Sequence, residues 1–334
     1  MFKFYKMMFL FTLISSTFIT ISSFSWFGMW LGLEINLMSM IPLISNSKNM
    51  TNNEASLKYF IIQALASTLL LFAIIVMSTN IFKSWHPNLI LILNTSLLTK
   101  MGAAPFHFWF PEVMEGLNWI NCFILMTWQK IAPMILISYN NTILFFICII
   151  MFSMLISGLM GINQTSMRKI MAYSSINHIG WMISSIILFE TIWLIYFMMY
   201  TLISMMIIMI LQTYKIYHLK QLFAIFNKNN SLKLFFIVNF LSMGGLPPFI
   251  GFMPKWLTIQ MLIENNLYFL TFLMILMTLI TLYFYIRITF STLMLTNNQL
   301  NFLIQLKFKK FNLSFINFIQ LMSLMLVTLI FNIF

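Results

Sequence analysis

The sequence predicts an all-α, polytopic membrane protein of about eleven transmembrane helices, built as two inverted repeats that each contain one broken helix. Three observations lead there. Hydrophobic residues make up 61% of the 334 positions and charged residues only 7%, against about 25% charged in soluble domains. Apolar stretches of roughly the 20 residues needed to cross a bilayer follow one another from end to end. The Gly- and Pro-rich interruptions fall at matching places in the two halves.

The segments read, in order, about 4–23, 25–44, 56–79, 88–106, 118–139, 142–162, 168–188, 191–213, 234–258, 266–289 and 312–333. The first could pass for a signal peptide, since Lys3 and Lys6 precede its apolar run, but the same composition continues to Phe334 and a membrane helix is the reading. The second carries Gly28-Met-Trp-Leu-Gly32, a spacing that lets helices approach closely. Glu54 and Lys58, at the start of the third, are spaced to pair on one helical face, although Lys58 could instead feed protons inward. The longest connections, about 214–233 and 290–311, are read as loops. The whole of 1–334 is one transmembrane domain, with about 4–139 as the first repeat half, about 142–289 as the second, and 290–334 as a loop and C-terminal helix.

Loop charges orient the chain. With the N-terminus inside, Lys3, Lys6, Lys48, Lys58, Arg168, Lys169, Lys215, Lys220, Lys228, Lys233, Arg287, Lys307, Lys309 and Lys310 all lie inside, and Lys83 alone lies outside. Positive residues collect on the inner side, so this also accounts for the net charge of +12 without nucleic acid. Cys122 and Cys148 sit in apolar runs, where they read as packing thiols. No glycine-rich nucleotide loop or His-Glu-x-x-His zinc motif occurs. No cofactor or metal is expected in this chain.

Four ionisable residues cannot be placed in loops: Glu34, Lys100, Lys130 and Lys255. Each costs about 2.5–3.5 kcal/mol near a helix centre, so they must face the bundle interior or water. Static ion pairs and lysines that snorkel to the interface are the competing readings. Three lysines cannot all be neutralised by one glutamate, and a lysine whose proton affinity changes with its partner's position is a proton-transfer element. His178, mid-span among hydroxyls, is either hydrogen-bonded core or part of a proton wire.

Two interruptions accompany these charges. Lys100-Met-Gly-Ala-Ala-Pro-Phe-His-Phe-Trp-Phe-Pro111 and Ser242-Met-Gly-Gly-Leu-Pro-Pro-Phe-Ile-Gly-Phe-Met-Pro-Lys255 share Met-Gly-x-x-Pro, from Met101 and from Met243, an offset of 142 residues. Proline removes a backbone donor and breaks the helix, and the freed carbonyls need partners inside a membrane. Matching broken helices running in opposite directions point to an ion site. His107, Glu112 and Glu115 follow the first break and read as structural.

With Glu34-Ile-Asn-Leu, Glu54-Ala-Ser-Leu-Lys58-Tyr-Phe, Thr127-Trp-Gln-Lys130-Ile-Ala-Pro and Arg168-Lys-Ile-Met-Ala-Tyr-Ser-Ser-Ile-Asn-His178-Ile-Gly-Trp, these strings resemble the chain 2 family of mitochondrial NADH–ubiquinone oxidoreductase, respiratory complex I, over about residues 25–290. The Met-, Ile-, Phe- and Asn-rich composition fits an insect-type, organelle-encoded gene. The resemblance implies an antiporter-like membrane-arm subunit with two five-helix inverted repeats. Glu34 would pair with Lys100, Lys130 would be the central lysine and Lys255 the terminal one, with Lys58 and His178 as possible auxiliaries. NADH, flavin, iron–sulfur clusters and ubiquinone would lie in partner subunits, and the partners would be other membrane-arm chains and lipids. The mitochondrial inner membrane, with the N-terminus in the matrix and the C-terminus in the intermembrane space, is the implied location. An autonomous cation–proton antiporter and a structural spacer subunit are the alternatives.

Overall fold

The computed structural model describes residues 4–45, 49–79, 86–140, 142–226 and 230–294. The C-terminal segment 312–333, like Lys3, Lys48, Lys83 and Lys228, lies outside them. Among the described residues all regular structure is helical: α1 (Phe4–Ser22), α2 (Trp26–Ile44), α3 (Met50–Ser78), α4 (His86–Met101), α5 (Trp109–Gly116), α6 (Trp119–Met126), α7 (Trp128–Ser138), α8 (Ile143–Ile162), α9 (Met167–Leu188), α10 (Glu190–Thr213), α11 (Leu219–Phe226), α12 (Asn230–Gly244), α13 (Phe252–Glu264) and α14 (Tyr268–Met294). One isolated antiparallel bridge joins Ser166 and His218.

Among the described residues, seven stretches are long and apolar enough to span a membrane. Of the other four expected segments, 312–333 lies outside those residues, and three differ for physical reasons. Segments 88–106 and 234–258 are cut by their breaks into α4 and α12, each shorter than a span. Segment 168–188 forms one helix, α9, but its serines, Asn177 and His178 make it polar. The loop expected over 214–233 contains the amphipathic helix α11. Segment 118–139 is divided at Thr127, where φ is −113° and ψ is −72°, and the helix resumes as α7. Helix α3 begins six residues earlier than expected, which puts Lys58 two turns inside it.

The chain divides into two compact units, Met1–Ser153 and Met154–Phe334. In the first, α1 packs along α2, α2 on α3, and α3 on both α4 and α5, while α7 lies against α4, α6 and α1. Burial of apolar area supplies little net drive between helices in lipid, so close backbone approach and polar ties carry the association. Gly32 shows this directly: a Cβ there would collide with the Thr20 side chain and the Ser16 carbonyl of α1. Gly28, its partner in the sequence pattern, faces only Ser23 and Ser25 of the adjoining turn, so one glycine of the pair makes the contact. The C-terminal carbonyl of Leu43 in α2 accepts from Lys6 Nζ at 3.2 Å and from Asn121 Nδ2 at 3.0 Å. A cation there also complements the negative end of the helix dipole.

In the second unit, α12 packs on α14, and α10 lies against α9, α12 and α13. Helix α9 is buried on every side from Ile170 to Ile186. Most serine and threonine hydroxyls in the spans donate to the carbonyl three residues back in their own helix, as Ser174, Ser175, Ser184 and Ser185 do at 2.7 Å. Their protons are satisfied locally, so any further hydrogen bond to these oxygens is one they accept. Cys122 is buried with its Sγ near the Met114 and Leu117 carbonyls, whereas Cys148 is exposed on the outer face of α8 rather than packed.

Candidate functional site: two broken helices and their lysines

Both interruptions turn on one glycine with a positive φ, Gly102 at 74° and Gly245 at 78°. Each closes a Schellman-type cap: Ala103 N donates to Leu98 O at 3.1 Å, and Leu246 N donates to Leu241 O at 3.4 Å. A tight turn follows in each, with Phe106 N on Ala103 O and Phe249 N on Leu246 O, both at 2.9 Å. The structural offset, from Gly102 to Gly245, is therefore 143 residues and not the 142 of the sequence echo. In this register Pro105, Phe106 and Pro111 meet Pro248, Phe249 and Pro254. The two lysines are not equivalent in it: Lys100 ends the helix before its break, and Lys255 opens the helix after its own.

That difference decides how the freed carbonyls are satisfied. At the first break neutral side chains do it: Trp109 Nε1 donates to Thr99 O at 3.1 Å, and Gln63 Nε2 to Lys100 O at 3.2 Å. The Lys100 ammonium, although its residue is only 7% exposed, has no hydrogen-bond partner among the described residues. Glu34 Oε2 is buried and likewise unbonded. The carboxylate lies close enough for its charge to act on Lys100, yet among the described residues no ion pair joins the two, and the pairs seen there are Lys58 with Glu54 and with Glu112. The expected Glu34–Lys100 contact is thus an electrostatic coupling across a gap.

At the second break the lysine is itself the cap. Lys255 Nζ donates to Gly244 O at 2.8 Å and Met243 O at 3.3 Å, and it lies 5.9 Å from the centroid of the Trp181 ring. Its stem occupies the place of a side chain on Gly245: a Cβ there would sit 2.8 Å from both Lys255 Cδ and Nζ. Gly245→Ala is expected to cost about 1–2 kcal/mol in backbone strain and to push the ammonium off the carbonyls as well. Loss of assembled complex on a native gel, or its thermal inactivation at lower temperature, checks this; wild-type behaviour in both refutes the cap.

Lys130 sits on α7 between two irregularities. Thr127 interrupts the helix with its hydroxyl on Phe123 O at 2.7 Å, and Pro133 withholds a donor from the Gln129 carbonyl. Lys130 is 1% exposed, with Nζ 5.6 Å from the Phe110 ring centroid. Gly102 makes this possible, since a Cβ there would meet Phe110 Cβ at 3.0 Å. Gln129, which sequence reasoning overlooked, donates to Asn36 Oδ1 at 2.9 Å and accepts from Tyr59 at 3.5 Å. It ties the helices of Glu34, Lys58 and Lys130 together. Amides inside an apolar run were the signal that could have found Gln129 and Gln63.

Two sites stand apart from this cluster. Lys58 bridges Glu54 at 3.0 Å and Glu112 at 2.9 Å, all three exposed; the expected pair gains a second carboxylate and joins α3 to α5. His107 is buried, with Nδ1 3.3 Å from Pro105 O and its ring 4.5 Å from that of Phe108. In the second unit His178 is 5% exposed, with Nδ1 2.8 Å from the Tyr196 hydroxyl. Among the described residues, no three His, Cys, Asp or Glu side chains gather as a metal site.

The family described as NADH:quinone oxidoreductase/Mrp antiporter, TM, matches residues 23–281. NADH-ubiquinone oxidoreductase chain 2 of Anopheles gambiae is 50% identical over 333 residues, 97% of each chain. The chain 2 of Aedes aegypti is 52% identical over 326 residues, 96% of each. Among solved structures, a chain of respiratory complex I from Thermus thermophilus with bound aureothin superposes with a TM-score of 0.87 at 20% identity, over 98% of this chain and 79% of that one, a likeness of fold. The chain belongs to the NADH:quinone oxidoreductase/Mrp antiporter membrane family and, within it, to the NADH-ubiquinone oxidoreductase chain 2 group.

Proposed function

We propose that this chain is a proton-translocating membrane-arm subunit of mitochondrial respiratory complex I, in which electron transfer from NADH to ubiquinone on partner subunits drives protons through buried Glu and Lys groups. The redox groups lie in those partners. The relatives' names support the inner membrane, and the loop charges support an N-terminus in the matrix. Those relatives also favour an obligate subunit over an autonomous antiporter or a spacer.

The observation that carries the reading is the Glu34–Lys100 arrangement. A buried ammonium and a carboxylate with one buried oxygen, both of these atoms without a hydrogen bond among the described residues, stand close enough for the Glu34 charge to act on Lys100 without an ion pair. A movement of either helix changes that coupling, and with it the ease of holding a proton on Lys100. A static structural pair would instead be in contact and hydrogen-bonded. In the first unit Glu34, Lys100 and Lys130 form the relay; in the second, Lys255 carries the charge and His178 assists. Lys58, held by two exposed carboxylates, serves as a clamp at the end of α3.

Lys100→Met tests this. It removes an unbonded cation whose placement near a helix centre costs about 2.5–3.5 kcal/mol, so the complex is expected to assemble at least as stably as wild type. Proton translocation per NADH oxidised in membrane vesicles is expected to drop. A stable complex that pumps normally and turns over normally would sink the relay.

A further inference from the structure

His178 is enclosed by phenols that the relay does not yet use. Tyr196 and Tyr200, one turn apart on α10, face it together: the Tyr196 hydroxyl lies 2.8 Å from Nδ1, and the Tyr200 ring centroid lies 4.9 Å from the imidazole. The three residues are 5%, 1% and 2% exposed. On α9, the Tyr200 and Tyr285 phenols face Ser175 and Ser174, whose own protons are committed to the Ala172 and Met171 carbonyls. Those serine oxygens can therefore only accept. One turn along α9 from His178, Trp181 places its ring under the Lys255 ammonium.

We propose that Tyr196 is a positioning residue for proton exchange at His178. It holds the imidazole in the tautomer protonated at Nδ1, whose N–H donates to the Tyr196 oxygen, so that Nε2 is the atom that takes up and releases the proton. This rests on the relay reading above and deepens it. An imidazole titrates in the physiological range, while a phenol stays neutral there and accepts from Nδ1–H in both charge states of the ring. The bond is therefore kept as the proton comes and goes at Nε2. A tyrosine present only to satisfy a buried nitrogen would serve either tautomer equally.

The test uses the assembled complex in sealed membrane vesicles. Tyr196→Phe is expected to lower the proton-to-electron ratio at least twofold and to displace the pH profile of pumping, with complex content unchanged. The groups that bear on that profile are Tyr196 and Tyr200 from α10, which face His178, Tyr285 from α14, which acts on both of those phenols, and, through Trp181, Lys255 from α13. An unchanged ratio and profile in Tyr196→Phe, beside impaired pumping in Lys255→Met, overturns the inference and leaves the relay standing; normal pumping in Lys255→Met removes the second unit's relay itself. Should Tyr196→Phe fail to assemble, the wild-type complex decides. In its redox-induced infrared difference spectrum, the His178 band is identified as the histidine band lost in His178→Gln. That band is expected at the frequency of the neutral Nδ1–H tautomer, and the Nε2–H frequency overturns the assignment.

Discussion

Lys130→Met in the assembled complex is expected to leave the fold intact and to abolish the share of proton translocation that runs through this chain. The side chains are similar in length, and the Lys130 site is almost wholly buried beside the Phe110 ring, so methionine fills the space and keeps an aromatic contact. The ammonium and its exchangeable protons are lost. A positioned proton-transfer group contributes about 10²–10⁴-fold to its step, which makes this one of the two largest effects anticipated. Lys130→Arg separates charge from chemistry. It keeps a cation over the ring, but a guanidinium does not release its proton at any relevant pH, so it is expected to fail as methionine does. The measurements are proton-to-electron ratio and NADH oxidation rate at constant complex content. Both normal in either variant would exclude Lys130 from the relay.

Gly251→Ala is expected to prevent the complex from assembling. The residue precedes α13 with an ordinary φ of −68°, so backbone torsion is not the reason. Its α-carbon lies so close to the Ser242 carbonyl oxygen of α12 that a Cβ would overlap it. That carbonyl already accepts from Gly245 N at 3.0 Å within the cap. Room for a methyl group would require the two half-helices to separate, breaking the cap and releasing the Met243 and Gly244 carbonyls from Lys255. Unsatisfied backbone groups cost several kcal/mol each where water is scarce. The check is complex content in membranes by native electrophoresis. Wild-type content would show that the break tolerates widening.

The contrast between the breaks explains why part of the site was legible in advance. Lys100 and Lys255 both stood out as charges in apolar runs beside Gly and Pro, because the cost of leaving an ion in lipid can be read from its place in an apolar run without knowing its neighbours. Their different roles did not stand out. Whether a lysine caps carbonyls or stays unbonded depends on which half-helix carries it, and the repeated Met-Gly-x-x-Pro string suggested a register one residue away from that of the caps. Glu34 was placed beside Lys100 by resemblance, and the structure brings the pair near without contact.

Helix positions followed from apolar length alone wherever a run was uninterrupted, as in α1, α2, α8 and α10. They were less well marked where polarity had a purpose. Thr127 and Pro133 cut the helix that holds Lys130, and α11 hides its one apolar face in a stretch that reads as a loop.

By itself the sequence determined the solvent of this chain, the all-helical class and the four charges that cannot face lipid, since these depend on composition and on spacing along one strand of residues. Only the tertiary structure decided which atoms those charges meet: a gap between Glu34 and Lys100, an aromatic ring beside Lys130, two carbonyls under Lys255 and a phenol at His178. Each joins two different helices, from 11 residues apart at Lys255 and Gly244 to 66 apart at Glu34 and Lys100. Those contacts depend on close approach at single glycines and on the direction of individual side chains, quantities that hydropathy and spacing do not contain.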